Sequence, residues 1–193
     1  MTIHSTHPFP TGEDPVRRLR GRLGGAVSLW TTGAGADRAG LTVTSLMVAA
    51  GEPARLLGLI DPDSDLADAL ADAAGDSGDS GDSGGSSGSS GSEGDGARCV
   101  VQLLSWPDRG LADMFAGTAP APGGVFGQAE FEQTPWGPRL ASATTWAGVR
   151  LESVTSLGWS DLLTCVVEEL VVGEDREPLA HRRGRYHRAA ADA

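Results

Sequence analysis

The sequence predicts a mostly β domain, a β-barrel carrying a few short helices, and three observations lead there. Six short segments are apolar or β-branched and bounded by Gly or Pro. They follow one another closely, without the regular alternation of strand and long helix that builds a parallel sheet. No GxGxxG or GxxxxGK[ST] turn follows any of them, so the common nucleotide signatures of α/β folds are absent. At 193 residues and 39% hydrophobic, the chain suits a single domain with a sizeable core.

Taken in order, residues 15–23, "PVRRLRGRL", have a basic helical pattern. "GAVSLWTT" (25–32), "LTVTSLMVA" (41–49) and "ARLLGLI" (54–60) are predicted strands. The second crowds Thr42, Thr44 and Ser45 into one run, which is either an ordinary half-buried strand or the polar wall of a ligand site. Residues 64–74 predict a helix capped by Ser64, with Leu66, Ala69, Leu70 and Ala73 on its apolar face and aspartates at its N-terminal end. "RCVVQLL" (98–104), "TWAGVRLESV" (145–154) and "LLTCVVEELVV" (162–172) complete the strands. Between them, 108–117 predicts a helix with Leu111, Met114 and Phe115 on one side, ending at Gly117.

The formal charge of −11 is unevenly placed. Ten of the 26 acidic residues lie between Asp61 and Gly96, a stretch with no arginine, so the remainder is close to neutral. All 15 basic residues are arginine, and no basic stripe with interleaved aromatics supports nucleic-acid binding. No apolar run approaches the roughly 20 residues of a membrane span. Arg17 and Arg18 precede "GRLGGAVSLW", which is too broken by glycine for a signal h-region, so a cytoplasmic protein is expected. Cys99 and Cys165 sit singly in apolar runs and are expected to be reduced core thiols. Residues 75–96 lack any apolar side chain and are expected to be a flexible Gly/Ser/Asp insertion in a domain spanning 15–188, with tails at 1–14 and 189–193.

Two motifs in the acidic stretch are decoys. "GDSGG" at 81–85 copies a serine-protease nucleophile motif, but it is the third Gly-Asp-Ser triplet of a low-complexity tract. All four histidines, His4, His7, His181 and His187, lie near the termini. "DPDSDLADALAD" (61–72) spaces carboxylates partly like a calcium loop, yet Leu66 replaces the required Gly and Asp72 the bidentate Glu. No metal site is expected.

The order of the pieces resembles the flavin reductase-like family with the FMN-binding split barrel. It rests on "VRRLRGRL", "VSLWTT", "GLTVTSL", the "GEP" turn, "DSDLADAL", "RCVVQLLSWPDRGLADMFAG", "TPWGPRLASATTWAGVRLESV" and "PLAHRRGRYHR", across 15–188 without the insertion. The resemblance implies a split β-barrel of Greek-key type and flavin bound along Thr42, Val43, Thr44 and Ser45. It implies a phosphate near Ser64 and further contacts from Arg185 and Tyr186. The implied activity is hydride transfer from NAD(P)H to FMN, with FAD or riboflavin as alternatives, in a homodimer that serves a partner oxygenase. The resemblance names no protein acid or base as catalytic, since the cofactor carries the chemistry.

Two departures qualify it. Where the family carries Arg and Thr near the serine, this chain has Asp65 and Leu66, with Asp61 and Asp63 just before. A carboxylate ~4 Å from a phosphate charge costs roughly 1 kcal/mol in water and several times that near a protein surface. Arg182, Arg183 and Arg185 are the candidates to compensate. Where the family shows Gly-Asp-His, this chain has Gly158, Trp159 and Ser160, leaving His181 as a substitute on position alone. Flavin binding without turnover, or a dimeric interaction domain that has lost flavin, are the competing expectations.

Overall fold

The computed structural model describes residues 15–76 and 96–188. The predicted tails, and residues 77–95 of the predicted insertion, lie outside the described residues. Helix α1 (Pro15–Leu23) opens on proline, whose missing N–H costs nothing there, and stops before Gly24 at φ 64°. Helix α2 (Asp65–Asp76) starts as predicted and reaches two residues into the stretch predicted to be flexible. Helix α3 (Arg109–Phe115) follows a single 3₁₀ turn, Trp106–Asp108.

The predicted strand at 25–32 divides at Val27, because its two ends join different sheets. The Val27 amide donates to the Leu179 carbonyl at 2.9 Å, and its carbonyl accepts from the Leu104 amide at 3.0 Å. Strand β1 (Gly25–Ala26) therefore pairs with β11 (Leu179–Arg182), and β2 (Ser28–Thr32) enters the main sheet. The strand predicted at 41–49 also divides, into β3 (Ala39–Val43) and β4 (Met47–Ala49), with Thr44–Leu46 outside any ladder.

The main sheet has seven strands in the order β3-β2-β6-β9-β10-β5-β4, with β5 at Arg55–Ile60, β6 at Arg98–Leu103, β9 at Trp146–Leu157 and β10 at Ser160–Val171. Its two edges, β3 and β4, are consecutive in the chain, so the sheet must curl until its ends meet. Trp30 on β2 confirms the curl: a Cβ on Gly58 of β5 would stand 2.8 Å from its ring, although three strands separate β2 and β5 in the order. Bulges in β10 against β9, between Thr164 and Cys165 and between Val167 and Glu169, supply local bending.

Two cores result. Trp30, Val43, Leu66, Leu70, Cys99, Val149, Leu163 and Cys165 fill the concave side. Val27, Leu29, Leu111, Phe115, Leu140 and Leu179 pack α3 and two hairpins on the other. Cys99 and Cys165 are buried free thiols, as expected. Contact with Cys165, and then burial, push the Cys99 thiol well above its usual range, so Cys99 behaves as an inert core residue.

Sequence reading missed those hairpins. In β7 (Phe131–Thr134) and β8 (Gly137–Leu140), Pro135 and Pro138 argue against strand. In β11 and β12 (Arg185–Arg188), the run is too basic to read as strand. Arg183 and Gly184, at φ 54° and 73°, make the two-residue turn that joins Arg182 to Arg185 with matching twist.

Candidate functional site

The break between β3 and β4 is where the predicted site residues gather. Thr42, next to last in β3, is half-buried, and its hydroxyl donates to the Ala112 carbonyl of α3 at 2.8 Å. Val43 turns its side chain into the core, while its carbonyl accepts from the Ser28 hydroxyl at 2.7 Å. Thr44 is exposed. Ser45 fastens the far side: its hydroxyl donates to the Leu59 carbonyl at 2.7 Å and accepts the Leu59 amide at 2.9 Å. The hydroxyl-rich run therefore works partly as a splint. Two of its three side-chain hydroxyls tie the break to α3 and β5, and the third faces outward.

Backbone approaches closely at the same place. A Cβ on Gly25 would lie 2.9 Å from the Thr44 carbonyl, so a larger residue there would force β1 and the break apart. Nothing in the sequence beyond the Gly24–Gly25 pair signals this contact.

Tyr186 joins the site through α3. Its phenol lies beside the Asp113 carboxylate, and burial together with that negative neighbour pushes it up to about 12. Because Asp113 follows the Ala112 that Thr42 engages, α3 holds both walls in register. His181 lies across the hairpin from Tyr186, with ring centroids 5.6 Å apart. Its imidazole is held below the ordinary 6.5 by burial first, then by His187 and Arg20, against an opposing pull from Asp113. His181 is therefore neutral at pH 7. Arg185 sits at the hairpin turn, exposed and opposite Arg182.

Ser64 stands at the other end of the break, beyond the β5 strand that Ser45 engages. Its hydroxyl donates to the Asp61 carbonyl at 2.7 Å and accepts the Ala67 amide at 3.3 Å, the geometry of a helix cap. The Asp61 carboxylate accepts the Asp63 amide at 3.1 Å. The chain thus caps its own helix terminus, and Asp61, Asp63 and Asp65 are exposed beside it. These residues do not fit a phosphate well. Trp159 is 71% exposed in the turn between β9 and β10. Among the described residues, no group of His, Cys, Asp and Glu has the geometry of a metal site. No helix there is long and apolar enough to cross a membrane.

Comparison with known proteins bears on the fold and the family. The chain is 25% identical over 193 residues to the NADH-dependent FMN reductase RutF of Variovorax paradoxus, covering 97% of this chain and 94% of the relative. Its fold matches the NADH:FAD oxidoreductase SgcE6 of Streptomyces globisporus with a TM-score of 0.72 at 19% identity, over 94% of this chain and 98% of that one. It matches the styrene monooxygenase flavin reductase of Pseudomonas putida with a TM-score of 0.71 at 16% identity, over 93% and 100% of the two chains. The model of the flavin reductase like domain matches residues 20–190, nearly the whole folded body, and the chain belongs to that family.

Proposed function

We propose that the protein is an NADH-dependent flavin reductase that takes FMN along the break between β3 and β4 of a split barrel. The observation that carries this reading is the break itself. Thr44–Leu46 leave the ladder, Gly25 lets backbone come close, Thr42 is tied to Ala112 of α3, and Tyr186 lies beside the next residue, Asp113. Backbone groups held still on rigid elements, with few side chains in the way, suit a flat ring with polar edges. Thr42, Val43, Thr44, Ser45 and Tyr186 form the proposed wall, with Ser64 and Arg185 at its two ends. The relatives' printed activities, FMN reductase with NADH, set the choice of cofactor.

Flavin supplies the hydride-accepting chemistry when bound, so the protein's part is positioning. The Thr42 hydroxyl keeps its lone pairs for a ligand donor, since its own proton goes to Ala112. Tyr186, its phenol pushed up to about 12 beside Asp113, stays protonated at any working pH. Neutral His181 adds no charge beside a nicotinamide. Reduced flavin then passes to a partner oxygenase, as the styrene monooxygenase and tryptophan halogenase reductases among the structural neighbours suggest. Buried free thiols favour a cytoplasmic place of work.

NADH oxidation with added FMN, FAD and riboflavin tests the assignment. A rate well above that of free flavin is expected, fastest with FMN; a rate equal to the protein-free background refutes it. Flavin binding without turnover is the second reading. The Gly158-Trp159-Ser160 turn favours it, and tight FMN binding with only background NADH oxidation would establish it.

A further inference from the structure

We infer that the cavity between the end of α1, the start of β1 and the β11–β12 hairpin is a phosphate subsite, built for the phosphate ester of a nucleotide held at the adjoining strand break. The cavity measures about 510 Å³, ample for a phosphate or pyrophosphate, and Gly24, Gly25, His181, Arg182 and His187 are among its lining. Gly25 connects it to the break, since the backbone that lines the cavity is the backbone that meets the Thr44 carbonyl. The cavity and the Thr42–Ser45 run therefore adjoin each other across Gly25.

Charge points the same way. Six arginines are paired with carboxylates: Arg55 with Glu152, Arg98 and Arg150 with Glu168, Arg139 with Glu132, Arg176 with Glu174 and Arg188 with Glu177. Arg38 and Arg109 instead bond backbone carbonyls, at 2.8 and 3.1 Å. Among the described residues, Arg20, Arg182, Arg183 and Arg185 form no ion pair, and Asp113 lies beside Tyr186. The Arg183 amide donates to the Gly21 carbonyl at 2.8 Å, which docks the hairpin's basic turn on basic α1. Arg182, His181 and His187 line the cavity, Arg20 is near enough to act on His181, and Arg183 and Arg185 stand in or beside the adjoining turn, in a chain of net charge −11. The mutual repulsion, added to burial, helps hold His181 neutral. The opposite end of the break carries exposed Asp61, Asp63 and Asp65 and a helix terminus that is already capped. A doubly charged phosphate placed along this axis is driven toward the arginines.

The chemistry fits two sources, the flavin's own 5′-phosphate or the pyrophosphate of the nicotinamide dinucleotide. Which nucleotide it is rests on the flavin reductase reading; that the cavity takes a phosphate does not. The experiment uses the full chain and Arg182→Gln. Pyrophosphate is titrated while the His181 and His187 imidazole resonances are followed. FMN and riboflavin affinities are measured by flavin fluorescence, and the KM for NADH by turnover. Pyrophosphate is expected to move both resonances, and Arg182→Gln to weaken it by about tenfold, the loss of one charged hydrogen bond. If the flavin's phosphate occupies the cavity, FMN weakens by a similar factor and riboflavin does not. If the dinucleotide's does, KM for NADH rises by that factor with kcat little changed. Arg182 is exposed, and Arg182→Lys, which keeps the charge, should recover most of the loss. Resonances that ignore pyrophosphate overturn the proposal. So does an Arg182→Gln protein whose FMN-to-riboflavin ratio and NADH KM both match the parent. If neither flavin binds yet pyrophosphate still moves both resonances, the flavin reading falls and the phosphate subsite stands.

Discussion

Trp30 concentrates much of the fold in one side chain. It is fully buried on β2, its indole N–H donates to the Ser28 hydroxyl at 3.0 Å, and that hydroxyl donates to the Val43 carbonyl beside the strand break. The ring lies against Gly58, where a Cβ would stand 2.8 Å from one ring atom and 3.0 Å from the next. A buried ring cannot swing into solvent to make room. Gly58→Ala should therefore cost about 1–3 kcal/mol by overpacking. In a Trp30→Leu background the same change should cost much less, because the obstructing ring is gone. Urea denaturation of the four proteins of this cycle measures the difference. Equal costs in both backgrounds would mean that Trp30 does not hold β2 against β5.

Among the elements, β10 clamps three others through Glu168. One carboxylate oxygen accepts from the Trp136 indole at 2.8 Å and Arg98 at 3.2 Å, and the other from Arg150 at 2.9 Å. The clamp thereby links β10 to β6, β9 and the β7–β8 turn. Burial alone would raise the Glu168 pKa, but the three donors hold it below the ordinary 4.5. Glu168→Gln should cost about 1–2 kcal/mol at pH 7, where the parent carboxylate is charged. A folded pKa below the unfolded one gives stability that is complete above 4.5 and is lost as pH falls through the folded value. Melting the two proteins across that range should show their difference shrinking on acidification, and a constant difference would refute the ionic clamp. The β10 strand was legible in the sequence because its apolar run is long; the clamp was not, since Trp136 lies in a hairpin that two prolines disguise. The break at Thr44–Leu46 was hidden for the opposite reason, every residue there being an acceptable strand former. The hydroxyls of Thr42 and Ser45 drew attention as ligand groups, and their bonds to Ala112 and Leu59 come from tertiary neighbours that local pattern does not reveal. Asp113 had no local signal and Gly25 only its place in a glycine pair, while Tyr186 was reached only through the family resemblance.

For the molecule as a whole, the exposed apolar surface sets the remaining question. The register runs Met47 beside Leu57, Leu162 beside Leu59, and Leu157 beside Ser160, which places these leucines and Met47 on the outer face of neighbouring strands. Met47 is 55% and Leu157 50% exposed, and Trp159 extends the same end of the sheet. Strand β4 is also a sheet edge only three residues long, with Val48 beside Met47 facing water. An apolar face that runs up to an unpaired edge is a surface that a second copy would cover. The proposed flavin wall, Thr42–Ser45, ends two residues before this edge strand, so a partner seated there would also close the site from one side. We expect a homodimer in solution, twice the 19.8 kDa of the chain by light scattering. Met47→Glu with Leu157→Glu places two charges in the contact and should give a folded monomer with weaker FMN affinity. A parent protein that is already monomeric at micromolar concentration would refute the dimer. A monomeric variant with unchanged FMN affinity would separate assembly from the site.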